Sequence, residues 1–495
     1  KGKTYRFDYD EKGNVRAYTA GNDAGSAFTY DVTGKVTSLD IGNTNNDSIL
    51  SESYKYDEND NRTEITSYKA DGSVDGTTSY VYDSLDQLLK ETLPDGTVKE
   101  YGYNGFGNRT SVKVTEPGKS TVQMNAEFNI GNELVKFGND TIKYDENGNR
   151  LEDGKYTYTW NAADQLTSIT KKGETKAFAT YKYDNDGRRI EKNVDGTITR
   201  FYYDGNSINP LYETDGNGSV LRSYVYSMDG LRLSMQTGGK TYFYHYNPHG
   251  DVVAMTDDSG AVVVKYTYDS WGNTKKQVVS GQSDVKNPFT YAGYMQDDET
   301  GMYYLIARYY NSEQGVFLSA DPDPGDEDDP ITQNAYIYVG NNPVMYIDAD
   351  GAKKKKKIST KGFKLETRNY GKPKVLKSEV PFGPGNLIKG ASALKNSRYV
   401  MKGPYFSSAK KYVEHYEKHV VKYKEFGNIS KSKYLNKAQW NASIVKGKGI
   451  YTKIKRGMNK RYVYNSRTNE ITSVQNGILK THFKPKKGKA YYDRQ

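Results

Sequence analysis

Along the first 351 residues, apolar and polar positions alternate in short runs that come back at intervals of roughly 20 residues. The unit is plain in FDYDEKGNVRAY, YKYDENDNRTEI, IKYDENGNRLED and YKYDNDGRRIEK, with relatives in YVYDSLDQLLKE and YTYDSWGNTKKQ. Each copy holds alternating aromatics, an Asp, a Gly or Asn turn shortly after it, and a second alternating run. Period-two patterning on both sides of a turn that tolerates positive φ predicts a β-hairpin. One hairpin cannot bury its own face, so the copies are expected to join into a long, curling sheet.

After Gly351 the pattern changes. Ser407 and Ser408 are placed to cap a helix running to about Phe426 and ended by Gly427, and a second helix is predicted from near Ser430 to Gly447. Strand-like GIYTKIKR, KRYVYN, EITSV and GILKTHFK follow, separated by turn signals. The expected domains are a repeat region at 1–241, a more varied section at 242–351, a lysine-rich lead at 352–402 and a small α+β domain at 403–495. On a wheel of about 100° per residue, Phe406, Ala409, Val413, Tyr416, Val420 and Tyr423 make one apolar stripe. His419 lies at its border and His415 further round beside Lys411, Lys418 and Lys422, which predicts a partly exposed basic ridge rather than buried histidines.

Charge sharpens this division. Residues 352–495 carry 37 basic and 7 acidic side chains, net +30, and residues 1–351 carry 34 and 54, net −20. A segment so basic implies a polyanionic partner. The 47 tyrosines suit half-buried sheet surfaces. There is no cysteine, so disulfides and thiolate chemistry are excluded. No run approaches the roughly 20 apolar residues of a membrane span, and the N-terminus has no signal-peptide core. The chain begins within a repeat and reads as the C-terminal portion of something longer.

The repeats resemble the YD repeats of the Rhs family, which includes wall-associated Rhs-type proteins of Gram-positive bacteria and the C components of Tc toxins. The likeness tightens over YFYHYNPHGDVVAMTDDSGAVVVKYTYDSWGN, FTYAGYMQDDETGMYYLIARYYNSEQGVFLSADP and NAYIYVGNNPVMYIDADG. It implies a mostly β fold: hairpins forming a hollow β-cocoon around a variable C-terminal toxin, with the section at 242–351 closing one end. It also implies self-cleavage by an aspartate pair just after the closing motif. Here the family's DPxGL is replaced by Asp348-Ala349-Asp350-Gly351-Ala352, so Asp348 with either Asp321 or Asp350 is the expected pair. The alternative is that these aspartates are turn residues. His245 and His249, in FYHYNPHGD, are read as structural.

His415 and His419 are spaced like zinc ligands, but Glu417 sits one residue too late for HExxH and nothing completes a ligand set, so neither metal nor cofactor is expected. ILKTHFKP supplies a third histidine, His482, which strand alternation groups with Lys480 and Lys484, leaving Thr481 with Phe483. Imidazoles among lysines suit metal-free RNA cleavage: one takes the ribose 2′-hydroxyl proton, another protonates the leaving 5′-oxygen, and a cation holds the phosphorane. The layout KHVVKYKEFG, SKSKYLNKAQ and KTHFKP resembles the RNase group containing barnase, colicin E5, colicin D and RelE. That resemblance puts His419 and Thr481 in the active site with Lys418 on a phosphate; His415 and His482 are further candidates, and Lys422, Lys484 and Arg461 are candidate phosphate contacts. Tyr464 is either a site hydroxyl or part of an edge strand.

Together these readings predict an interbacterial toxin whose acidic shell contacts, carries and delivers a basic endoribonuclease, most simply a tRNase. The resemblance implies secretion or wall attachment in the producer, action in the cytoplasm of the target bacterium, and an acidic immunity protein as partner. The rival readings are a metal-dependent DNase and a non-catalytic cell-wall or nucleic-acid-binding surface protein.

Overall fold

The computed structural model describes residues 3–43, 47–323, 325, 330–352, 356–357, 417–424, 426, 450–455, 460–466, 468–475, 478–486 and 489. The chain divides into two compact units, residues 1–325 with 330–376, and residues 326–329 with 377–495.

The first unit is almost entirely antiparallel β. Thirteen strands from Arg6–Tyr9 to Asp140–Thr141 form one meander and fourteen from Lys143–Tyr144 to Thr274–Val278 form a second, every strand bonded to its sequence neighbour. The expected hairpins are therefore present, and their turns have a common chemistry. The Asp57 carboxylate accepts the backbone N–H groups of Asn59 and Asn61 at 3.0 and 2.8 Å, while Asp60 takes up φ +69°. Asp83 does the same for Leu85 and Gln87 at 2.8 and 2.9 Å. An Asp side chain thus replaces the backbone partner that the turn lacks.

The tyrosine just before the turn links one hairpin to the previous one, and Tyr56 and Tyr82 sit at β-bulges. Tyr56 Oη donates to Val36 O at 2.8 Å, Tyr82 to Arg62 O at 2.6 Å, Tyr226 to Pro210 O at 2.8 Å and Tyr268 to Val252 O at 2.6 Å. Burial lifts the pKa values of Tyr82, Tyr226 and Tyr268, so these three phenols stay neutral donors. Just past the turn stands a buried arginine: Arg62, Arg109, Arg150, Arg189 and Arg232 are each at most 4% exposed. Their guanidiniums lie over aromatic faces, Arg62 4.8 Å from the Tyr54 ring centre and Arg189 4.4 Å from that of Tyr304.

The two meanders are tied across the chain: Tyr5 Oη donates to Ser234 Oγ at 2.6 Å, Asn22 to Thr256 Oγ1 at 2.9 Å, and Lys99 pairs with Asp269 at 2.5 Å. The section after Thr274–Val278 adds a small four-stranded sheet. Its rings pack around Trp271, and Tyr310 stacks on Tyr338 with ring centres 4.3 Å apart. Asp297 fastens this section to the repeats, since Arg189 contacts both of its oxygens at 2.6 and 2.8 Å and Lys192 adds a third contact at 3.0 Å.

His245 and His249 are buried within this unit, as their structural reading requires. His245 Nε2 meets Thr256 Oγ1 at 2.9 Å and His249 Nδ1 meets Asp251 Oδ1 at 2.7 Å. Burial pulls the His245 pKa down to about 4. A neutral imidazole is thus favoured in the fold, so its contribution is complete above the free-histidine pKa of about 6.5 and is lost as pH falls toward 4. Urea unfolding at pH 7 and pH 4.5 is expected to show a His245-dependent loss of about 2 to 3 kcal/mol, which His245→Gln removes.

In the second unit the described residues show a π-helical turn, Glu417–Lys422, and a four-stranded antiparallel sheet of Ile450–Lys455, Lys460–Asn465, Glu470–Gln475 and Ile478–Phe483. These are the four strands expected from sequence. Most of the first expected helix and all of the second, with the lead at 358–402, lie outside the described residues.

Candidate active sites

The closing motif builds one site in the first unit. Asp321 and Asp348, 27 positions apart, are both about 1% exposed at the side chain, and both approach the same nitrogen, Arg308 Nη2, at 3.0 and 3.3 Å. Asp321 also serves its turn, Oδ1 accepting the Asp323 N–H at 2.8 Å. Arg308 is held in turn by Ala335 O on Nη1 at 2.9 Å and by the Phe317 ring, 3.6 Å from its carbon. Its Nε donates to the carbonyl oxygen of Gly351. The Gly351 N–H donates to Asp348 Oδ1 at 3.0 Å, and the Asp348 N–H to Tyr294 Oη at 2.8 Å.

Gly351 has φ +70°, and a Cβ there would stand 2.6 Å from Leu305 O. The glycine is therefore required, whereas the Pro and Leu of the family motif are not needed to hold the loop. Of the two expected pairings, the structure brings Asp348 to Asp321. Asp350 is buried too, its Oδ1 accepting the N–H of Ala352 at 3.2 Å.

The second site lies on the C-terminal sheet. His419 is 6% exposed, which corrects the exposed-ridge expectation: its ring stacks on Phe483 with centres 5.3 Å apart. Lys418 and Lys422 are exposed, and Lys422 lies over the Tyr423 ring at 5.7 Å. The wheel assumed α-helical spacing, but a π-turn carries more residues per turn and rotates His419 off the predicted border.

His482 is completely buried, its Nδ1 2.8 Å from Thr472 Oγ1 and its ring stacked on Phe426 at 5.1 Å. Neighbours on a strand point to opposite faces, so His419 on Phe483 and Phe426 on His482 touch opposite faces of the edge strand Ile478–Phe483. His482, a further candidate by sequence, therefore points away from the face that His419 covers. Thr481 shares the Phe483 face, and hence that of His419, with its hydroxyl 3.0 Å from Ser473 Oγ. Lys484 lies over the Phe426 ring at 5.3 Å. Tyr464 is buried, donating to Asn469 Oδ1 at 2.9 Å. His415 and the Arg461 side chain lie outside the described residues. Among the described residues no His, Asp or Glu cluster is placed to hold a metal ion.

Residues 24–344 match the family model described as Teneurin YD-shell. A tRNA(Glu)-specific nuclease WapA of Bacillus subtilis subsp. natto is 45% identical over 96% of this chain, and a tRNA3(Ser)-specific nuclease WapA of Bacillus spizizenii is 51% identical over 70% of it. The chain spans 21% and 15% of the length of these two relatives. A Photorhabdus luminescens Tc holotoxin pore shares the fold at 19% identity, with a TM-score of 0.60 over 71% of this chain and 19% of its own. With the hairpin meanders, the arginine and tyrosine ladders and this match over most of its length, the chain belongs to the Teneurin YD-shell family.

Proposed function

We propose that this chain is part of an interbacterial toxin in which a YD shell carries a metal-independent tRNA nuclease and cuts itself shortly after Gly351. The observation that carries the nuclease reading is the extent of the alignments. A match over 96% of the chain leaves out only about 20 residues, so it must include most of residues 403–495, and that match is to a tRNA(Glu)-specific nuclease. The match to the tRNA3(Ser)-specific relative covers 70% of the chain. A shared shell with a separately varying C-terminal end is what a carrier and cargo would show.

In the nuclease, His419 takes the 2′-hydroxyl proton, Thr481 on the same strand face contacts the phosphate oxygens, and Lys418 supplies positive charge from solvent. His415 remains the candidate acid. Incubating the purified chain with total tRNA in EDTA and sequencing the new RNA ends tests this. Cleavage is expected to persist in EDTA and to fall about 100-fold or more in His419→Ala. Loss of all cleavage on chelation would favour the metal-dependent DNase class instead. The producer needs an immunity protein, and an acidic one would complement the net +30 of residues 352–495.

The self-cleavage reading is favoured by one arrangement: two buried carboxylates on Arg308, whose Nε also holds the Gly351 carbonyl. One carboxylate takes a proton from water as it attacks the carbonyl carbon of the bond to be cut, and Arg308, which holds the neighbouring Gly351 carbonyl, stabilises the charge that develops there. The mode of delivery implied by the family remains secretion or wall attachment, with the nuclease acting in the cytoplasm of the target cell.

A further inference from the structure

We infer that Tyr423 is the platform on which the nucleobase beside the cut stacks, so that the ribose of the same nucleotide is turned toward His419; this rests on the nuclease reading above. Attack by a 2′-hydroxyl needs its oxygen, the phosphorus and the leaving oxygen in line, and a nucleotide stacked inside an RNA helix does not offer that geometry. The base must leave its stack, and an aromatic side chain that takes it up offsets the stacking it loses. Such a platform has to stand within one nucleotide of the group that takes the proton. Tyr423 does: its ring centre lies 6.1 Å from that of His419, with the planes 59° apart.

The backbone holds this ring outward. Helical spacing of about 100° per residue put Tyr423 in the buried apolar stripe, but its N–H closes a π-type turn on Lys418 O at 3.0 Å, and the residue is 53% exposed. Lys424, next in the chain, takes φ +49°, which ends the turn. Single exposed aromatics are ordinary, and what marks Tyr423 is its company. His419 stacks on the half-buried Phe483 at 5.3 Å and meets Tyr423 as well, so the three rings form a row that ends in solvent at Tyr423. Tyr451, the other exposed large apolar side chain among the described residues of this unit, packs instead with Tyr464, ring centres 6.2 Å apart.

The charges around the ring select the occupant. Lys422 Nζ stands 5.7 Å from the Tyr423 ring centre, and Lys418, Lys422 and Lys424 are all exposed. An apolar partner surface laid on Tyr423 would have to bury these cations with it, which is costly. A nucleotide needs no such burial, because its base lies on the ring while its phosphates meet the lysines in water. Stacking uses the face that every base has, so Tyr423 sets the position of the cut nucleotide and leaves its identity to other contacts.

A tyrosine here could serve only to cover His419, and removing the base from the RNA separates the two roles. Sequencing the ends that the full chain makes in total tRNA locates the cut, and the tRNA concerned is then assembled from synthetic pieces with and without the base on the 5′ side of it. Wild type is expected to lose about 5- to 150-fold in kcat/KM on the abasic tRNA, which is what stacking one base is worth. Tyr423→Leu is expected to lose a similar factor on intact tRNA and nothing further on abasic tRNA, while Tyr423→Phe, which keeps the ring face, stays within about twofold of wild type. If Y423L cuts intact tRNA like wild type, if Y423F is as slow as Y423L, or if the missing base costs Y423L as much as it costs wild type, the inference fails while the nuclease reading stands. If folded wild-type chain cuts no tRNA, both fall. If Y423L fails to fold, photo-crosslinking of the wild-type chain decides: an iodinated base placed 5′ of the cut is expected to attach to Tyr423, and attachment only at other residues overturns the inference.

Discussion

Replacing Asp348 with Asn is expected to leave the chain as one uncut polypeptide, with cleavage slowed by about 1,000-fold, the upper part of the range for losing a catalytic base. Arg308→Met should be at least as damaging, because Arg308 holds Asp321, Asp348 and the Gly351 carbonyl together. The two variants separate by their side effects. Asn keeps the acceptor for the Gly351 N–H, so D348N should melt at the wild-type temperature. R308M leaves two buried carboxylates facing each other without a cation, which costs several kcal/mol and should lower the melting temperature as well. Gel analysis of freshly made chain and a thermal melt read both effects. A D348N chain that cuts normally would remove the aspartate mechanism.

The second large effect belongs to Asp297. Its pKa is pushed up by burial, but the charges of Arg189 and Lys192 outweigh this and hold it down at about 2. Asp297→Ala leaves Arg189 buried without its carboxylate and Lys192 with Glu299 alone, and is expected to cost about 3–5 kcal/mol, enough to loosen the closing section from the repeats. Urea unfolding followed by tyrosine fluorescence measures it. The sign of the pH dependence follows from the depressed pKa. This stabilisation is complete above the ordinary carboxylate value of about 4 and is lost as pH falls through about 2. In Asp297→Ala that acid-side loss should be absent.

The hairpins were legible because their cause is local. Alternation selects the strands, and Asp with a residue tolerant of positive φ selects the turns, so YKYDENDNRTEI states its own fold. What was not legible is the use made of the residues on either side of each turn. An arginine after Asn reads as a solvated charge, yet Arg62 and Arg189 are buried on aromatic faces that other repeats supply, and no single repeat reveals that. The tyrosines were read as half-buried packing, but Tyr56 and Tyr82 are also hydrogen-bond struts to earlier hairpins. At the closing motif the sequence offers two partners for Asp348, and the Arg308 contacts favour Asp321. On the C-terminal sheet, alternation paired Thr481 with Phe483 and set His482 apart, but it could not foresee the register shift between Ser473 and Val474, which breaks the alternation before Thr481. It could not tell that both faces are covered, which buries His482, nor that a π-turn brings His419 onto Phe483.

The tyrosine struts have a direction. In each the donor comes later in the chain than its acceptor: Tyr30 reaches back to Val15, Tyr103 to Leu88, Tyr203 to Arg189 and Tyr246 to Arg232. A nascent hairpin leaving the ribosome therefore finds its docking carbonyl already made, and never has to wait for sequence not yet translated. The shell can grow like a zip closed from the N-terminal side, with Arg308 and the aspartates among the last parts to engage. Cutting would then mark the moment at which the wall is finished.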